Sequence, residues 1–431
     1  MVSIGFVYFC SVIKNNYELQ NDGTMKNILS KRTFIVLPLF LFSLHPLWGQ
    51  KSNFKNDICI PGKLYMLSDI RNDVFVEALI KRWRPYNDFV RFSGDCVYSR
   101  KLNRVASVDT PVDGSNMKIE LVNSDEFEII KEKAISICVG KKGIGTQEVT
   151  VQILGDSFVN GAFFRDALLS KNYIPGIKLV GLRNIKNEEG QYDEGRGGWT
   201  VKKYFEIPKG EMTSYHGYMQ PVGEYRYWGS CEFWKNCYKV INGELTDTEI
   251  VYNCGRYDQC ITKFDKETGY LAAPKKNDLM YDNARGSYMV YTEKKWKNVE
   301  VDERKWAFNY RKYLDMWNLD APKFFAQMLG LNDYRDSLTA DYREWNKKIA
   351  EMKESYYKAV PDGKFIILIP CTTCGSLNNI RGDFTLRQNA AMWQLRKNII
   401  DTFDGRESEG YYVVDIGITI AVSYTHLRAH E

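Results

Sequence analysis

The sequence predicts an α/β fold, a parallel sheet covered by helices on both faces, preceded by a smaller β-rich domain. Three observations carry this. Between residues 146 and 420, short apolar runs alternate with helical periodicities, the pattern of βαβ units. Before residue 145, apolar runs follow one another with only polar turns between them. The chain has 431 residues, enough for two or three domains, and its 44% hydrophobic and 26% charged content excludes wholesale disorder.

In the first domain, 51–145, the strands are Val74–Leu79, Met117–Val122 and Ala134–Val139, separated by turns such as Pro111-Val112-Asp113-Gly114-Ser115. A small antiparallel sandwich is expected. The second domain, 146–420, begins with a strand at Val149–Leu154, a helix at Gly161–Leu169 and a strand at Ile177–Val180. After an interruption at 201–300 come a helix (Glu303–Trp317), a strand (Phe324–Leu329) and a helix (Tyr342–Tyr357). A strand (Phe365–Ile369), a helix (Leu386–Phe403) and a strand (Tyr412–Ile416) complete it. Five such strands make a flavodoxin-like, doubly wound, three-layer α/β/α architecture, in which ligands bind beyond the carboxyl ends of the strands.

The interruption holds Cys231, Cys237, Cys254 and Cys260 and a dense set of aromatics, with no clear helical period. It is expected to be a β-rich, disulfide-stapled insertion that either shapes substrate access or packs on itself. Aromatics make up 14% of the chain, which suits sugar binding and a packed β-rich core alike.

Lys26, Lys31 and Arg32 followed by the apolar stretch Phe34–Leu44 read as a secretory signal, 25–50, with residues 1–24 upstream of the true start. The apolar stretch is shorter than the ~20 residues of a membrane span, so a secreted or periplasmic protein of a Gram-negative type of bacterium is expected. Its oxidising compartment favours disulfides among Cys59, Cys96, Cys138, Cys371, Cys374 and the four insertion cysteines. At the other end, 421–431 resembles a translated sequencing adapter, and the natural chain is expected to continue past about Ile420. A net charge of +5 with no Lys/Arg block argues against nucleic acid. Cys spacings do not match zinc sites, Asp333, Asp383 and Asp415 form no recognisable metal set, and Gly140–Gly145 lacks a Walker pattern. No metal and no cofactor is expected.

Chemistry concentrates at the predicted strand ends. The first strand runs into Gly155-Asp156-Ser157, the second is followed by Glu194-Gly195-Arg196-Gly197-Gly198-Trp199-Thr200, and the third ends in Gly330-Leu331-Asn332-Asp333. Val159 stands where a G-x-S-x-G elbow needs its second glycine. Together, in this order, the three blocks resemble the SGNH/GDSL hydrolase superfamily, in particular its carbohydrate-esterase-like bacterial members. The resemblance covers about 146–420, the insertion being poorly matched.

The resemblance implies that Ser157 is the nucleophile. It further implies an oxyanion hole made of the Ser157 N–H, the Gly198 N–H and the Asn332 side-chain amide, with Gly195 and Gly197 competing for the second place. Its last block, Asp-x-x-His, occurs nowhere in the sequence. The catalytic His and Asp are therefore absent from this chain, and the family places them after the strand at Tyr412–Ile416. His216 is expected to be a turn or surface histidine. The implied function is a secreted serine esterase that removes acyl groups, with O-acetyl on a polysaccharide as the expected substrate, through an acyl-serine; the chain as it stands should be nearly inactive. The alternatives are a lipid or thioester hydrolase of the same superfamily and a non-catalytic carbohydrate-binding protein.

Overall fold

The structure, a computed structural model, describes residues 57–68, 71–80, 88–95, 97–100, 105–123, 127–140, 148–160, 165, 169, 176–183, 192–210, 215–245, 261–370 and 386–419. The expected signal segment, the 421–431 tail, most of the predicted helix at 161–169, the Gly140–Gly145 run beyond its first residue, Asp383, and Cys96, Cys254, Cys260, Cys371 and Cys374 lie outside the described residues.

The chain mixes helices and strands around several sheets. The N-terminal part builds two of them from β1 (Lys63–Leu67), β2 (Asn72–Phe75), β3 (Asp88–Gly94), β4 (Val97–Arg100), β5 (Val105–Val108), β6 (Asn116–Asn123) and β7 (Ile129–Gly140). Their orders are β1-β7-β6-β3 and β2-β5-β4. Leu64, Ile119, Leu121 and Ile137 of the first sheet and Val74, Ala106 and Val108 of the second share one apolar cluster. The β1–β7 pairing is parallel, so the unit is not the purely antiparallel one expected. The predicted strand at Val74–Leu79 is half right: β2 stops at Phe75 and Val76–Leu79 forms a helical turn, α1. Val76, Ala78 and Leu79 are all fully buried, and a turn places these three side chains in one core where a strand would send Leu79 to the face opposite Val76 and Ala78.

The central sheet follows β8 (Val149–Gly155), β9 (Ile177–Leu179), β10 (Glu194–Gly195), β17 (Phe324–Met328), β18 (Lys364–Ile369) and β19 (Tyr411–Asp415). The order is β10-β8-β17-β18-β19, with β9 also on β8, and every pairing is parallel. β9 pairs Val149–Val151 and β10 pairs Leu154–Gly155, so both occupy one lane beside β8. Period-2 alternation splits the strands' side chains between two cores. Leu154, Phe325, Ile367 and Val413 face one cluster, and Ile153, Ala326, Ile366 and Val414 the other. Burial on both faces is why Phe365–Ile369 is an uninterrupted apolar run.

Helix α2 starts at Ser157 directly after β8, and its described turn is Ser157–Asn160. The interruption contains β11 (Met219–Pro221), β12 (Arg226–Ser230), helix α3 (Cys231–Ile241), β13 (Asp278–Asp282), β14 (Ser287–Tyr291) and β15 (Trp296–Val299). The last three strands and β12 form one sheet, as a β-rich insertion requires. Helix α3 was not legible as a period, yet Ser230 caps it by accepting from Phe233 N at 3.3 Å, and Phe233, Trp234 and Cys237 are buried. Cys231 holds a buried thiol, pushed up to about 12 chiefly by burial, so the expected disulfide staple does not run through it.

The predicted helix at Glu303–Trp317 is shorter than expected. Glu303–Lys305 is a 3-10 turn, Trp306–Phe308 is β16 paired with β11, and only α4 (Tyr310–Trp317) is helical. Asn309 explains the boundary, because its side chain accepts from Lys312 N at 3.0 Å and caps the helix there. Helices α5 (Leu331–Tyr334), α6 (Arg343–Ala359) and α7 (Leu386–Phe403) complete the chain. In α6 the buried residues Trp345, Ile349, Met352 and Tyr356 recur at helical spacing.

The two parts are joined by specific contacts. Arg396 on α7 donates to the Cys59 carbonyl at 2.8 Å and forms a buried ion pair with Asp415 at the end of β19. Ile418 inserts into the N-terminal apolar cluster. Among the described residues, no helix is long and apolar enough to cross a membrane.

Candidate active site

Three strand ends meet at one edge of the central sheet. Gly155, the last residue of β8, is in register with Gly195 of β10 on one side and Met328 of β17 on the other. Ser157 follows two residues after the first of these, Gly198 three after the second and Asn332 four after the third. Adjacent parallel strands deliver all three loops to the same carboxyl-end rim, where open α/β sheets bind ligands.

Ser157 is exposed and opens helix α2. Asp156 turns the chain there: its carboxylate accepts from Phe158 N at 3.0 Å and its carbonyl from Asn160 N at 2.9 Å. The helical turn then lies against β10 so closely that a Cβ on Gly195 would meet Asn160 N at 2.1 Å. Only glycine fits there. The Gly195 N–H is itself used, donating to Asp193 Oδ1 at 2.9 Å.

The second loop leaves β10 through Arg196, whose N–H bonds the Gly155 carbonyl at 2.9 Å. Trp199 N closes a turn onto the Arg196 carbonyl at 3.2 Å, with Gly198 at its apex in the left-handed region, φ +73. Gly198 is exposed. Of the three candidate glycines, Gly195 is therefore sequestered in the sheet, and Gly197 and Gly198 form the turn facing outward.

The third loop clamps the second. Asn332 Nδ2 donates to the Trp199 carbonyl at 3.1 Å, and the Asp333 carboxylate accepts from Val201 N at 3.0 and 3.2 Å. An amide nitrogen carries two hydrogens, and this bond engages one of them and orients the side chain. Burial pushes the Asp333 carboxyl up to about 7; the Val201 N–H opposes the shift, and the Asp156 carboxylate adds to it. Burial likewise raises Asp156 to about 6, against the Phe158 N–H and the Arg335 charge.

His216 is neither at the surface nor a base for Ser157. It is fully buried, with Trp199 edge-on at 5.6 Å and Tyr218 stacked at 5.7 Å. Its Nδ1 accepts from Tyr218 N at 3.1 Å and its Nε2 donates to the Glu206 carbonyl at 3.3 Å. Burial, helped by the Arg196 charge, lowers it to about 3, so the ring is a neutral core group at ordinary pH. The expected turn or surface histidine is corrected to a core one, because Trp199, Tyr204 and Tyr218 close over it. At the end of β19, Asp415 is taken up by Arg396 and by Ile418 N.

Sequence reasoning passed over Glu194 and Arg196. Both are fully buried beside the loop after β10 and paired at 2.5 Å, though they read as ordinary charges in a glycine-rich stretch. Their only signal was an opposite-charge pair flanking a glycine. Among the described residues no group of three His, Cys, Asp or Glu side chains is placed to hold a metal ion. Compared with known proteins, the chain matches no family model and no curated sequence.

Proposed function

We propose that the chain is a serine esterase of the SGNH/GDSL type, with Ser157 as nucleophile and the Ser157 N–H, Gly198 N–H and Asn332 amide as oxyanion donors. The observation that carries this reading is the Asn332 to Trp199 hydrogen bond, which ties two of the donor loops together at the strand end that bears Ser157. The strand lanes run second, first, third, fourth, fifth across the sheet, the flavodoxin-like order, and the two N-terminal sheets around one core fit a small sandwich with one parallel pairing.

In this reading the Ser157 Oγ attacks the ester carbonyl as its proton passes to a base. The carbonyl oxygen gains charge and is held by the three donors. Collapse expels the alcohol with that proton and leaves an acyl-serine. Water, deprotonated by the same base, then releases the acid and restores Ser157. The base is the missing piece, since no Asp-x-x-His exists in the sequence; the resemblance puts it after β19. The signal-like segment and the resemblance support export and an O-acetylated glycan as substrate.

Exogenous imidazole supplies the absent base and tests the reading on the chain as it stands. With imidazole, p-nitrophenyl acetate should be hydrolysed faster by the wild type than by Ser157→Ala, and faster than the hexanoate or decanoate. Equal rates for the two proteins would refute the nucleophile, and a preference for long acyl chains would favour a lipid hydrolase.

A further inference from the structure

Glu194 and Arg196 stand out as a charge pair with neither side chain exposed. Burying two charges costs more than burying apolar residues of the same volume unless geometry repays it. Here the geometry is specific. Glu194 Oε2 accepts from Arg196 Nη1 at 2.5 Å, while Oε1 accepts from Leu182 N at 2.7 Å and from the Tyr313 hydroxyl at 2.5 Å. The carboxylate is thereby tied to helix α4 behind the sheet.

The guanidinium, so fixed, lies 5.0 Å from the centre of the Trp199 ring. Trp199 is the residue whose carbonyl orients the Asn332 amide, and its own neighbour is Gly198. Tyr204 adds a second tie, its hydroxyl lying 2.8 Å from the Gly155 carbonyl and 2.7 Å from the Glu194 carbonyl. A contact chain thus runs from α4 through carboxylate, guanidinium and indole to both outer oxyanion donors.

We infer that Glu194 and Arg196 are positioning residues, which hold the Gly198 turn and, through Trp199, the Asn332 amide at the spacing an oxyanion requires. This deepens the esterase reading and rests on it for its catalytic consequence. Neither side chain touches substrate. Their effect is on where the donors stand, and a displacement of about 1 Å at such a site costs roughly 10²-fold in rate.

The test uses the full chain with Glu194→Gln and the milder Tyr313→Phe, which removes the hydroxyl's bonds to Glu194 and Gln152 and leaves both charges paired. Amide hydrogen exchange is followed by mass spectrometry, and imidazole-supported hydrolysis of p-nitrophenyl acetate supplies kcat and KM. In Glu194→Gln, exchange at Gly198–Val201 should quicken by about tenfold while helix α6 keeps its protection. The Ser157-dependent kcat should fall by about 10²-fold with KM nearly unchanged, and Tyr313→Phe should show the same pattern at smaller size. Unchanged exchange at Gly198–Val201 in both folded variants would overturn the inference, as would a rise in KM alone. If the wild type shows no Ser157-dependent turnover, the esterase reading falls by itself, and loop exchange still decides whether the pair positions the turn.

Discussion

Asn332 reaches across from the loop after β17 and donates its side-chain amide to the carbonyl of Trp199, 3.1 Å away in the loop after β10. The next residue repeats the gesture, Asp333 accepting from Val201 N. Two loops distant in sequence are thus locked into one rim, and the strand between them ends at Gly155 with Ser157 just beyond. The rim is built by hydrogen bonds that glycines and short polar side chains permit, so its sensitivity to substitution is specific.

Gly195→Ala and Gly198→Ala should differ sharply. At Gly195 a Cβ meets backbone atoms of Asn160 at 2.1 and 2.6 Å, so helix α2 must move and the protein should lose much of its stability. At Gly198 a Cβ meets nothing within 4 Å, and only the left-handed backbone is penalised, by about 1–2 kcal/mol. Thermal melts of the two variants check this, with Gly195→Ala the far less stable.

The raised Asp333 carboxyl makes a pH prediction. Its ordinary value is 3.8 and its folded value about 7, so between these the folded state keeps a proton that the unfolded state has released. Stability contributed by this group is full below about pH 4 and is lost as pH rises to 7. Asp333→Asn removes that slope, and its melting temperature should fall less than the wild type's between pH 4 and 7. Parallel slopes for the two proteins would contradict the assignment. The buried, neutral His216 contributes an opposite slope, present in both proteins, and so drops out of the comparison.

Arg396 and Asp415 are paired with no exposed surface, and Arg396 also holds the Cys59 carbonyl. Removing either partner leaves a buried charge unpaired, so Arg396→Ala or Asp415→Ala should cost about 3–5 kcal/mol. Replacing both with apolar residues of nearer volume, Arg396→Met with Asp415→Val, should recover most of the loss in urea unfolding. A double variant as unstable as the sum of the singles would show that the pair is not a coupled unit.

Much of the architecture was legible because its cause is local. Val149–Gly155 and Lys364–Ile369 are apolar runs of strand length bounded by turns, and α7 spans Leu386–Phe403 as its period predicts. The failures have tertiary causes. Val76–Leu79 is a strand by composition and a turn by burial. Trp306–Phe308 leaves the helical pattern because β11 offers it a partner. His216 looked like a surface residue because Trp199, Tyr204 and Tyr218, which enclose it, come from three other positions. The Ser157, Gly198 and Asn332 blocks could be read from short motifs, whereas the Glu194–Arg196 pair could not, since nothing in a glycine-rich stretch announces that both charges will be buried.

The central claim is that the Ser157 hydroxyl faces the amides of Gly198 and Asn332. A crystal structure of the chain soaked with a small alkylboronic acid measures this directly, because boron mimics the tetrahedral carbon and needs no base in place to be read. The account predicts a tetrahedral boronate on Ser157 Oγ, with one oxygen about 2.7–3.1 Å from both Gly198 N and Asn332 Nδ2. A boronate whose oxygens point away from both amides, or a Ser157 hydroxyl turned out of their reach, would contradict it.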